Sequence, residues 1–103
     1  MYKLVVFIPD AHKESVKMAM FAAGAGRIGD YQHCAFETRG TGQFMPMAAA
    51  NPFIGEAGQL ERVDEWKVEV VCEEALLQGV IGAIRTSHPY EEPAFEVYAL
   101  VDV

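Results

Sequence analysis

The order of hydrophobic patterns along the chain predicts an α+β sandwich of strand, helix, strand, strand, helix and strand (βαββαβ). The four strands should form one antiparallel sheet with both helices on one face. Three observations carry that expectation. Apolar residues recur at a period of two in four segments and at helical spacing in two, and the helical segments follow the first and third strands. Each strand–helix–strand crossover is right-handed, so the two halves share a sheet compactly only with the first and last strands side by side. A chain of 103 residues has the size of one domain, taken as 1–103.

The first strand is Tyr2–Ile8. Tyr2, Leu4, Val6 and Ile8 alternate with Lys3, Val5 and Phe7, and both sets are largely apolar, as in a central strand covered on both faces. Pro9 and Asp10 stop it, with Asp10 placed to cap the first helix. In that helix Val16, Ala19, Met20 and Ala23 fall on one stripe, and Gly24 stands where a left-handed C-cap residue is wanted. A second strand is expected from Tyr31 to Thr38, then a Gly-rich stretch with Gly40 and Gly42. Met47–Gly58, broken by Asn51-Pro52, Gly55 and Gly58, reads as a long loop, and loops of that length in small domains are often functional.

Leu60–Cys72 is a long third strand, with Trp66, Val68 and Val70 facing one way and Glu65, Lys67 and Glu69 the other. Glu73 and Glu74 complement the positive start of the second helix, whose stripe is Leu76, Leu77, Val80, Ile81 and Ile84. Gly79 and Gly82 weaken that helix by about 1 kcal/mol each relative to Ala, a cost that close helix–sheet approach would explain. Pro89 ends it, and Ala94–Val101 alternates as the last strand. Together these elements make the ferredoxin-like arrangement.

Composition narrows the function. The net charge is −7, with eight Lys and Arg scattered among fifteen Asp and Glu, so neither nucleic acid nor an anionic membrane surface is an expected partner. No apolar run approaches the roughly 20 residues of a membrane span. Met1–Ile8 lacks the build of a signal peptide, so a cytoplasmic setting with Cys34 and Cys72 as reduced thiols is expected.

The topology gathers polar residues at two ends. One end collects His12, the long loop with Phe53, and His88, Tyr90, Glu91 and Glu92, the candidate ligand-binding set. Within it His12, His88, Glu91 and Glu92 are the candidate ligands of a divalent metal ion, imidazole and carboxylate being suitable donors. The blander alternative has His88 capping the helix and both glutamates solvated. The other end collects Gly24–Gly29, Tyr31, His33, Cys34 and Cys72. The two cysteines could meet there beside His33, although a cysteine in a strand is more often a small buried hydrophobe. Gly24-Ala25-Gly26-Arg27-Ile28-Gly29 spells a dinucleotide fingerprint, but it closes a helix instead of opening one and so offers no helix N-terminus to a phosphate. On the sheet face away from the helices, Val5, Phe7, Val71, Tyr98 and Leu100 are the candidate interface for self-association.

Several ordered stretches resemble the inserted domain of the Nif-three-like (YqfO) family. They are Gly24 through Tyr31, Gly40 through Pro46, Ala50 through Gly55, Val63-Asp64-Glu65 and His88 through Ala94. The His88-Pro89-Tyr90-Glu91 segment after a helix also resembles the same place in CutA. The resemblance implies a stand-alone PII/CutA-like domain, homo-oligomeric as a trimer or dimer. Long members of the family carry a dinuclear metal centre, and some are cyclohydrolase-like hydrolases. The ligands of that centre belong to flanking halves, so the resemblance places no catalytic residue on this sequence. The expected function is a non-catalytic module that binds a small ligand or metal ion or regulates a protein partner. The alternative is a metal-binding protein or metal-dependent hydrolase.

Overall fold

In the computed structural model, which describes residues 1–103, the double alternation of the first strand sorts into two faces. Leu4, Val6 and Ile8 are fully buried on one side, while Lys3, Val5 and Phe7 lie on the other. The elements are β1 (Tyr2–Pro9), α1 (Lys13–Ala22), β2 (Phe36–Phe44), β3 (Glu61–Cys72), α2 (Leu77–Ser87) and β4 (Phe95–Ala99). Short 3-10 turns, Asp10–His12 and Glu74–Leu76, lead into the helices. The sheet runs β2-β3-β1-β4 with every pair antiparallel, which puts the first and last strands side by side as expected.

Both helices cover one sheet face. Leu4, Val6, Ile8, Val68, Val70 and Cys72 from the strands meet Val16, Met20, Phe21, Val80 and Ile84 from the helices in a single core. Trp66, Phe95 and Val97 extend it on the sheet side. At the flank, Glu37 on β2 takes both Lys13 and Lys17 of α1 at 2.9 Å. Those two ammonium groups hold its carboxyl below the usual range.

The end of α1 follows from Gly24. Its φ of +107° lets the Ala25 N–H reach back to Met20 O (3.1 Å) and its own N–H to Phe21 O (3.0 Å), the Schellman pattern. Asp10, expected as a cap, makes no capping bond; its carboxylate accepts the Trp66 indole N–H at 2.6 Å instead. Gly79 and Gly82 do not mediate close packing either, since a Cβ on each would meet nothing within 4 Å.

The second strand is displaced from its expected place. Tyr31–Ala35 is irregular: Ile28 and Tyr31 exchange backbone bonds of 2.9 Å in a tight turn, and His33, at φ 58°, stacks on Phe21 with ring centres 4.7 Å apart. β2 starts at Phe36 and runs through Gly40 and Gly42, which pair with Glu65 and Val63. Glycine hides a strand from an alternation search because it has no side chain to alternate. The long β3 dictates this pairing by offering its whole second edge to a partner. No helix is long and apolar enough to cross a membrane.

Two glycine substitutions separate backbone strain from helix propensity. Gly24→Ala places a Cβ 2.7 Å from Leu76 Cδ1 at a positive φ, and is expected to cost about 1–3 kcal/mol. Gly79→Ala, helical and facing open space, should add about 0.5–1 kcal/mol. Urea unfolding midpoints at unchanged slope measure both.

Candidate ligand site beneath the hairpin loop

The site is organised by the way α2 ends. Pro89 cannot continue the helix and forces the residue before it into extended backbone, so His88 takes φ −74°, ψ 135° and turns back across the end of β1. Its ring, 6% exposed, sits with Nε2 2.8 Å from the Phe7 carbonyl and Nδ1 3.1 Å from the Tyr90 backbone N–H. A carbonyl can only accept and an amide N–H only donate, so Nε2 carries the proton and the ring is neutral. Burial pushes the His88 pKa below its ordinary value, with the repulsion of His12 added; the Phe7 carbonyl and the charge of Glu65 oppose this without cancelling it.

That turn delivers Tyr90 to the open face of the sheet. Its hydroxyl donates to Glu65 Oε2 at 3.0 Å, and its ring lies 5.8 Å from that of Phe44. Burial raises the phenol pKa, and the adjacent Glu65 carboxylate raises it further. Glu65 reaches this position over Gly42 on the neighbouring strand, where a Cβ would clash with its Oε1. The β2–β3 connection then folds over the same end. Gly58 N–H closes on Pro46 O at 2.8 Å, and Gly55 and Gly58 take positive φ of 95° and 77°. The Asn51 backbone N–H donates to Glu91 Oε1 at 2.9 Å, and Phe53 meets the His12 ring edge-on at 5.4 Å. His12 Nδ1 is buried without a hydrogen-bond partner.

Between the loop, the sheet face and the 88–94 turn lies a hollow of about 250 Å³. Phe7, Phe44, Phe53 and Tyr90 supply its aromatic wall, and Glu65, Glu91 and Glu92 its charge. Of the candidate ligand residues, Phe53, Tyr90, Glu91 and Glu92 line it. His88 supports it through Tyr90, and His12 backs Phe53. Sequence reasoning missed Glu65 and Phe44. The signal available for Glu65 was the bare Gly42, which lies diagonally across the β2–β3 pair, two positions beyond the Gly40 that faces Glu65.

The four residues expected to hold a divalent metal do not form a ligand set. Both His88 ring nitrogens are engaged within the chain, Glu91 is engaged by Asn51, and no three His, Cys, Asp or Glu side chains converge anywhere. At the opposite end Cys72 is buried in the helix-side core, whereas Cys34 lines a shallow hollow on the other face with Lys3, Glu69 and Val71. The two thiols therefore occupy different sides of the sheet. Of the open-face residues, Val5 is already covered within one chain (4% exposed), Phe7 and Val71 are half-buried, and Tyr98 and Leu100 are exposed, joined by Phe36.

No family model matches the chain. It is 48% identical over 102 residues to the GTP cyclohydrolase 1 type 2 homolog of Halalkalibacterium halodurans, covering 99% of this chain and 27% of that protein. To the protein of the same name in Mycobacterium tuberculosis it is 50% identical over 99 residues, 96% of this chain and 26% of that one. The chain thus spans about a quarter of the length of the curated relatives it matches. A Bacillus cereus protein related to NIF3 superposes with a TM-score of 0.82 at 46% identity, over 98% of this chain and 26% of that chain. CutA1 from Pyrococcus horikoshii superposes at 0.71 over 100% of this chain and 86% of that chain, at 19% identity, a likeness of fold alone.

The depressed His88 pKa has a consequence for pH. The unfolded chain binds the His88 proton near the ordinary 6.5, whereas the folded chain resists it until lower pH. Its contribution to stability is therefore complete above about 6.5 and is lost as pH falls from there through the folded value. The urea midpoint of the wild type should drop between pH 7.5 and pH 5, and His88→Gln should lower the midpoint at pH 7.5 while flattening that drop.

Proposed function

The chain is a relative of one segment of the Nif-three-related family, and from that premise we propose a non-catalytic, single-domain module that binds a small ligand and associates with copies of itself. The hollow under the hairpin loop carries the proposal. Small-molecule sites are concave, apolar-walled and furnished with a few fixed polar groups, and here the Tyr90 hydroxyl and the Glu65 and Glu91 carboxylates are held in place by hydrogen bonds around aromatic walls. These residues bring no set of metal donors together, and the proposal gives them no part in the cyclohydrolase activity of the relatives' name. A cytoplasmic setting with reduced thiols goes with this reading.

Amide chemical shifts followed during a screen of nucleotides, amino acids and small amines should move at Phe44–Ile54 and His88–Ala94 for at least one compound. Shifts that stay still at those residues with every compound would sink the ligand reading.

Support for self-association is the apolar content of the uncovered sheet face, where Phe36, Tyr98 and Leu100 stand exposed beside half-buried Val71. A domain of this size buries only about two-thirds of its unfolded surface, so covering that face would add stability. Light scattering should return two or three chains per particle, and Tyr98→Glu with Leu100→Glu should return one. A single-chain mass for the wild type would overturn this part.

A further inference from the structure

The charge of the hollow states what kind of molecule it takes. Its thirteen lining residues include three glutamates, Glu65, Glu91 and Glu92, and no lysine, arginine or histidine. Lys67, opposite Phe7 in the β1–β3 pair, is not part of the lining. Glu65 is oriented by Tyr90 and Glu91 by Asn51, and Glu92 is exposed and pairs with no cation. A phosphate or carboxylate entering here would meet three like charges and no counter-charge, in a chain whose net charge is already −7. The walls agree with the charge, because aromatic ring faces attract cations, and Phe7, Phe44, Phe53 and Tyr90 all contribute rings.

We infer that the hollow binds a small organic cation, an amine or quaternary ammonium attached to a ring-sized apolar body. The ammonium lies toward Glu91 and Glu92, and the body lies among Phe7, Phe44 and Phe53. This rests on the hollow being the binding site. It sets the chain apart from anion and nucleotide binders, since a molecule whose dominant feature is a phosphate is repelled. A volume of about 250 Å³ suits one ring with a short side chain.

Three probes of matched size test the inference by calorimetric titration of the intact chain at low salt: phenethylamine, phenethyl alcohol and 3-phenylpropionate. The amine should bind about tenfold more tightly than the acid and severalfold more tightly than the alcohol, with the preference shrinking in 0.5 M salt. Glu92→Gln, at an exposed position that leaves the fold intact, should weaken the amine about two- to fivefold and leave the alcohol unchanged. An acid or alcohol that binds as tightly as the amine would overturn the charge selection while leaving the hollow as the site. No binding of any of the three would overturn the organic-cation inference, and the wider screen above then decides whether the hollow is a ligand site.

Discussion

One buried imidazole ties the two halves of the fold together at the end that carries the hollow. His88 closes α2, and its ring spans from the Phe7 carbonyl at the end of β1 to the Tyr90 amide in the following turn. A buried polar group left without partners costs about 1–3 kcal/mol, so the imidazole and the groups it serves constrain one another. The ring can satisfy both only in one tautomer and one orientation. That orientation fixes where Tyr90 leaves the helix end, and Tyr90 in turn holds Glu65. From there the constraint passes to β2, where Gly42 must remain bare for the carboxylate to lie across it.

The rest of the molecule supplies rigidity to that arrangement. Leu4, Val6 and Ile8 are fully buried beneath both helices, which makes β1 a firmly packed platform, and Phe7 projects from the same strand in the opposite direction. The alternation of a β-strand thus lets one eight-residue segment anchor the core and line the hollow at once. The loop is joined to this platform by weaker means, one exposed backbone-to-carboxylate bond at Asn51 and the edge contact of Phe53 on His12. Its closure is therefore the easier part of the site to open.

The sequence was legible wherever side chains carried the signal. Both helices, β1, β3 and their order followed from apolar period, and the C-cap at Gly24 followed from the conformational demand of a helix end. The gathering of His12, the long loop and the His88–Glu92 turn at one end followed from topology. What could not be read was held by residues with no pattern of their own. β2 was placed too early because Gly40 and Gly42 break alternation, and Glu65 was assigned a face but no partner because Tyr90 is 25 positions away. The metal grouping failed for a related reason. Proximity in topology does not reveal that a histidine's lone pair is already spent on a backbone amide.

The same logic connects the two proposed roles. Phe7, Phe44 and Glu65 belong to the hollow, and they also lie on the sheet face that carries Phe36, Val71 and Tyr98. A ligand in the hollow and a second chain on the sheet would therefore meet neighbouring residues of the same strands. The close-packed core beneath one face of those strands transmits strain, and the side chains and charge on the other face offer a second route for coupling between the two events. The three glutamates are the means available: a bound ammonium offsets part of their charge and so lowers the repulsion between acidic chains brought face to face. On these grounds ligand binding and association should favour each other, a direction set by the sign of the charge in the hollow.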